Sequence, residues 1–202
     1  MKLYYSPGAC SLSPHIILRE TETPFELVKV NLKEKKTEDG RDFRQISRAG
    51  YVPALELDDG TVLTEGPAIV QYIADKAGAT HLAPRHCSLE RYQMLSWLNY
   101  VTSELHKGFS PLFKSEMPEE GKAFARELLF SRIGVVDRHL ADRPYLLGDS
   151  FTLPDAYAFT VLRWAKPLKL DLAEFKNVTR YVDRIAERPA VKVAMKAEGL
   201  IK

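Results

Sequence analysis

The chain has 202 residues, 45% of them hydrophobic and 28% charged, with a formal net charge of +2. That is enough apolar material for one large or two small domains, and too little net charge to imply nucleic acid or an anionic membrane as partner. No apolar run approaches the ~20 residues of a membrane-spanning helix. Met1-Lys2-Leu3-Tyr4-Tyr5 is broken too early by polar residues and Pro7 to form the apolar core of an export signal, so the expectation is a cytoplasmic protein.

Leu3-Tyr4-Tyr5 reads as a strand, followed by a Pro7-Gly8 turn and a helix from Ser11 to about Glu22, with Cys10 and Ser11 at its start. Residues 25–32 alternate apolar and polar, the period of a strand with one buried face. This strand, helix, strand order predicts a right-handed parallel crossover. Lys33 to Arg48 is basic and polar, with room for one short irregular helix. Two short apolar runs flank Asp58-Asp59-Gly60, a hairpin signal. Thr64 is the expected cap of a helix over residues 65–77, whose Ile69, Ile73 and Ala77 would face the sheet.

Gly78 to Ser88 lacks periodicity and reads as a linker; the predicted division is 1–80, a linker at 81–87, and 88–202. Beyond the linker the pattern is helical. Segments are predicted over 89–112, 118–140 (with Leu129, Ile133, Val136 and Leu140 on one face), about 152–167 and up to Pro189, with a short last helix. Thr152 and Asp155 have the spacing of a capping box.

Four places carry candidate chemistry. Cys10 sits at a strand-to-helix junction, where unpaired backbone N–H groups and the helix dipole favour a thiolate. Cys87 is far away in sequence, and a reducing cytosol disfavours a bridge. Val52-Pro53 opens a strand and offers the Val52 N–H and C=O to an extended peptide, or is simply a strand entered by proline. Glu65-Gly66 at a helix N-terminus suits the amino-acid end of a ligand, although Glu65 also complements its own helix dipole. Asn99, Ser103 and His106, at i, i+4 and i+7, form a neutral hydrogen-bonding stripe, with His106-Lys107 a possible source of positive charge. His81, His86 and Cys87 match no common zinc spacing, and no dinucleotide, phosphate-loop or serine-hydrolase motif occurs, so no metal or cofactor is expected.

Taken together, the strings 1–13, Val52-Pro53-Ala54-Leu55, Leu63-Thr64-Glu65-Gly66, Trp97-Leu98-Asn99-Tyr100, residues 104–109, residues 151–157 and Ala197-Glu198-Gly199-Leu200 resemble a bacterial beta-class glutathione S-transferase over the whole length. The resemblance implies an α/β thioredoxin-like N-terminal domain and an all-α C-terminal domain, as a homodimer. It implies that Cys10 contacts the glutathione sulfur and can form a mixed disulfide with it. Val52, before a cis Pro53, would pair with the tripeptide backbone, and Glu65 and Gly66 would hold its γ-glutamyl end. Lys35, Asn99, Ser103, Glu104, Leu105 and His106 would complete the site, some of them across the dimer. One departure stands out: where the family has Asn-Pro-x-Gly-x-Val-Pro, this chain has Ser47-Arg48-Ala49-Gly50-Tyr51-Val52-Pro53. The expected activity is conjugation of glutathione, as substrate, to a hydrophobic electrophile, with Cys10 and His106 catalytic. Glutathione-dependent thiol exchange through Cys10 is the second activity. A low-turnover carrier of apolar ligands on the same fold is the alternative.

Overall fold

Strand β1 (Lys2–Tyr5) pairs in parallel with β2 (Glu26–Asn31), and helix α1 (Leu12–Glu20) joins them. This computed structural model describes residues 1–202. A two-residue strand β3 (Lys36–Thr37) turns back on β2, and β4 (Ala54–Glu56) runs antiparallel to β1. Strand β5 (Val62–Thr64) closes the hairpin on β4 around Asp58-Asp59-Gly60, where Gly60 takes φ +84° and Asp59 accepts from the Thr61 N–H. The sheet order is β3-β2-β1-β4-β5. Strand β1 therefore has neighbours on both sides, which is why Leu3 and Tyr4 are fully buried. One apolar cluster on the sheet joins Tyr4, Val28, Val30, Phe43, Val52 and Ala54. Phe43 reaches it from a 3-10 turn (Phe43–Gln45), the one short helix of the 33–48 stretch.

Helix α2 (Gly66–Lys76) packs on α1, and Ile69 and Ile73 are buried as expected. Two details differ from the sequence reading. The cap position is Glu65, not Thr64, because Thr64 completes the β5 ladder opposite Ala54. Ala77 is exposed, because the helix ends there and Gly78 turns the chain at φ +63°.

The chain then forms α3 (Leu89–Tyr100), a π-helical turn (Val101–His106), α4 (Lys107–Phe109), α5 (Glu119–His139), α6 (Leu153–Leu162) and α7 (Lys176–Ala186). Every residue of α6 is buried, so this helix is the centre of its unit. Its start is held by the predicted capping box, extended by tertiary contacts. Asp155 accepts from the Thr152 N–H and hydroxyl (both 2.8 Å), the Leu146 N–H (2.9 Å) and the Tyr181 hydroxyl (2.8 Å). Burial raises the Asp155 carboxyl from its ordinary value, while these donors work to lower it. Leu129, Ile133, Val136 and Leu140 are buried on α5 as predicted.

The last helix, α8 (Pro189–Ala197), corrects the expected 88–202 boundary. Contacts divide the chain into Met1–Thr80 with Arg188–Lys202, and His81–Glu187. Helix α8 packs on α1, pinned by Arg188 to Glu20 through two hydrogen bonds of 2.7 and 2.9 Å. Nor is 81–87 a bare spacer. Leu82 and Ala83 are buried, and the Leu82 carbonyl accepts from Leu153 at the start of α6.

Candidate functional site

The turn over residues 6–11 is closed by local bonds. The Ala9 N–H donates to the Ser6 carbonyl (3.0 Å), and the buried Ser11 hydroxyl accepts from the Ser6 N–H (3.1 Å). Cys10 follows, two residues before α1, with its carbonyl accepting from Ser13 and its side chain partly exposed. The thiol donates to the Val52 carbonyl at 3.2 Å. Val52 is 7% exposed and precedes a cis Pro53; its N–H makes no hydrogen bond within the chain. The sequence reading expected both Val52 groups to be open. The structure leaves only the N–H so, because the turn that carries Cys10 closes onto the carbonyl.

Gly66, the first residue of α2, lies against this loop: a Cβ there would stand 3.9 Å from Pro53 Cγ. Its N–H is one of the orphan donors of a helix start. Glu65 beside it is exposed and holds φ +66°, ψ 112°, a conformation that costs a non-glycine residue ~1–3 kcal/mol and that concentrates at working sites. Cys10, Val52, Glu65 and Gly66, drawn from three loops, thus meet along one end of the sheet.

Lys35 is already engaged. Its ammonium donates to the Gly50 carbonyl (2.8 Å) and lies 5.0 Å from the centre of the Tyr51 ring. Its stem also packs on Gly50, where a Cβ would come within 3.2 Å. In this chain, which lacks the family's loop proline, Lys35 and the exposed Tyr51 form a clamp on the loop that carries Val52.

In the helical unit the predicted stripe divides. Asn99 and Ser103 are both exposed and share a face, with Ser103 Oγ 3.1 Å from the Asn99 carbonyl and from Glu104 Oε1. Glu104 pairs with Arg132 at 2.8 Å. Leu105 is fully buried core. His106 leaves the stripe and turns inward, with Nδ1 2.6 Å from the Tyr157 hydroxyl and its ring against Trp164. The wider π-helical turn over Val101–His106 rotates position 106 away from the i, i+7 direction of an α-helix. Burial, aided by Lys107, lowers His106 to about 4. It is neutral at pH 7 and supplies no positive charge, contrary to the expectation.

Residues 1–75 match the family model for the glutathione S-transferase N-terminal domain, and 100–189 that for the C-terminal domain. The chain belongs to the glutathione S-transferase family. It is 48% identical over 200 residues to glutathione S-transferase GstA of Escherichia coli O157:H7, covering 99% of this chain and 100% of that protein. It also resembles a sphingomonad glutathione S-transferase solved with glutathione (48% identity, TM-score 0.95) and the beta-class enzyme of Sphingomonas chungbukensis (46%, TM-score 0.96), each covering 100% of both chains. The sheet unit is thus the family's thioredoxin-like domain and the helical unit its C-terminal domain.

Sequence reasoning missed Ser11 as the staple of the cysteine turn, Tyr157 as the partner of His106, and the buried pair His15–Glu198 (2.9 Å). Only tertiary contact joins the last two pairs, so no local spacing marks them.

Proposed function

We propose that this transferase conjugates glutathione to electrophilic small molecules at the Cys10 loop. The observation that carries this reading is the unpaired N–H of the buried Val52, placed between a thiol and a helix N-terminus. An extended tripeptide that pairs with Val52 directs its central sulfur toward Cys10. Its terminal α-carboxylate goes toward the Gly66 N–H and its ammonium toward Glu65. In conjugation the glutathione thiol loses its proton, its sulfur forms a bond to an electrophilic carbon, and the leaving group departs with the bonding electrons. In the second reaction, thiol exchange, the Cys10 thiolate attacks a mixed disulfide and expels one thiolate. Glutathione then releases Cys10 as the second disulfide forms.

The remaining candidates on the helical unit, Asn99, Ser103, Glu104, Leu105 and His106, stay part of the proposal as contacts to glutathione. His106 acts there as a neutral hydrogen-bonding group. Leu89, Tyr92 and Phe124 expose large apolar surface (69%, 60% and 64%), which supports a homodimer that buries them. The test is calorimetric titration with glutathione, conjugation to a simple chloronitroarene, and mass spectrometry for a reductant-sensitive glutathione adduct on Cys10. Absence of binding at millimolar glutathione overturns the reading. Binding with no turnover of electrophile or disulfide favours the carrier of apolar ligands.

A further inference from the structure

Helix α8 ends in a Schellman motif. Gly199 takes φ +70°, the Gly199 N–H donates to the Lys196 carbonyl, and the Leu200 N–H donates to the Met195 carbonyl (2.9 Å). This ending fixes the directions of Glu198 and Leu200, and both point at the turn before Cys10. Glu198, whose side chain is fully buried, accepts from the Gly8 N–H at 2.8 Å through Oε2 and contacts His15 Nδ1 at 2.9 Å through Oε1. Leu200 covers Gly8 so closely that a Cβ there would meet its Cδ2 at 3.3 Å. His15 Nε2 faces Arg19 Nε at 3.4 Å. The tautomer with the proton on Nδ1 therefore satisfies both contacts of the ring.

A buried carboxylate costs several kcal/mol in desolvation unless it is well bonded. Its position here, bridging the first helix and a backbone N–H two residues before the thiol, is specific in a way that apolar packing would not be. We propose that Glu198 is a positioning residue for Cys10. By holding the Gly8 N–H it fixes the 6–11 turn, and so the sulfur, against the Val52 carbonyl and the start of α1. The inference rests on the glutathione reading for its consequence in turnover, but not for its geometry.

The test uses the full-length Cys87→Ser protein, so that only Cys10 reports. The pH profile of Cys10 alkylation by iodoacetamide, the proton shift of the Gly8 amide, and KM and kcat for glutathione are measured for Glu198→Ala, Glu198→Gln and Leu200→Ala. In Glu198→Ala the alkylation midpoint moves up by half a pH unit or more as the sulfur leaves the helix start. The Gly8 amide moves upfield, and KM rises at least fivefold with a smaller change in kcat. Glu198→Gln keeps an acceptor for Gly8 and recovers at least half of each effect; Leu200→Ala shifts them in the same sense by less. A folded Glu198→Ala with wild-type profile and amide shift overturns the proposal. If that variant does not fold, Glu198→Gln and Leu200→Ala decide: wild-type values in Leu200→Ala, or a Glu198→Gln protein whose midpoint moves by half a unit or more, overturn it. Changed alkylation in a protein that never binds glutathione upholds the positioning role and removes the glutathione reading instead.

Discussion

The Cys10 thiol and the Val52 carbonyl oxygen are hydrogen-bonded at 3.2 Å across 42 residues of sequence. The contact ties the only partly exposed thiol of the sheet unit to the one loop residue with a backbone donor to offer a peptide. An ionised sulfur has no proton for that carbonyl, so a reacting Cys10 leaves this contact. Docking of a tripeptide on Val52 and release of the thiol are therefore linked at one residue.

Cys10→Ala separates the two reactions. Exchange requires a sulfur nucleophile in the protein and falls by at least ~10³-fold. Conjugation uses the glutathione sulfur and loses at most one hydrogen bond, ~1 kcal/mol or about tenfold in rate. Parallel assays with a mixed disulfide and a chloronitroarene read both. Equal losses would assign Cys10 the same role in each.

Glu65→Gly dissociates stability from binding. Glycine relieves the strain at φ +66°, which offsets its ~1 kcal/mol entropic cost in the unfolded chain. The expected result is unchanged or slightly raised thermal stability, with glutathione bound about tenfold more weakly for want of the carboxylate. Thermal melting and calorimetry on one preparation check it; weaker binding together with a lowered melting point would contradict the strain argument.

His106 makes stability depend on pH. The unfolded imidazole takes up its proton near 6.5, the folded one only near 4, because burial disfavours the cation. Between these values the unfolded state binds more protons, so stability rises with pH there. The contribution is complete above about 6.5 and lost as pH falls toward 4, a span of ~2–3 kcal/mol. His106→Asn keeps a partner for Tyr157 but has nothing to titrate. Urea unfolding at pH 4.5 and 7 should show the wild type losing more stability than the variant; a pH-independent difference would refute the buried neutral ring.

Asp155→Ala strands four donors at once, those of Leu146, Thr152 (two) and Tyr181. The expected loss is ~3–5 kcal/mol, a fall in melting temperature of about 10 °C for a chain of this size. Tyr181→Phe removes one donor and costs ~1–2 kcal/mol. Denaturant titration of both variants tests whether the α6 start is held by this cluster or by apolar packing alone.

Local pattern determined much of this protein. The period-two strand, the Asp-Asp-Gly hairpin, the Thr152–Asp155 box and the buried face of α5 follow from neighbours in sequence, since each is a contact over a few residues. The resemblance likewise drew Cys10, Val52, Glu65 and Gly66 into one site. Only the tertiary structure decided the rest. The π-helical turn removed His106 from its stripe, and burial, which no spacing encodes, took its charge. Lys35 was claimed by Gly50 and Tyr51. Helix α8 joined α1 rather than the helices before it, because the partners that fix it there, Glu20, His15 and Gly8, lie 168 to 190 residues away in sequence. Periodicity reports which face of a segment is buried, but not against what.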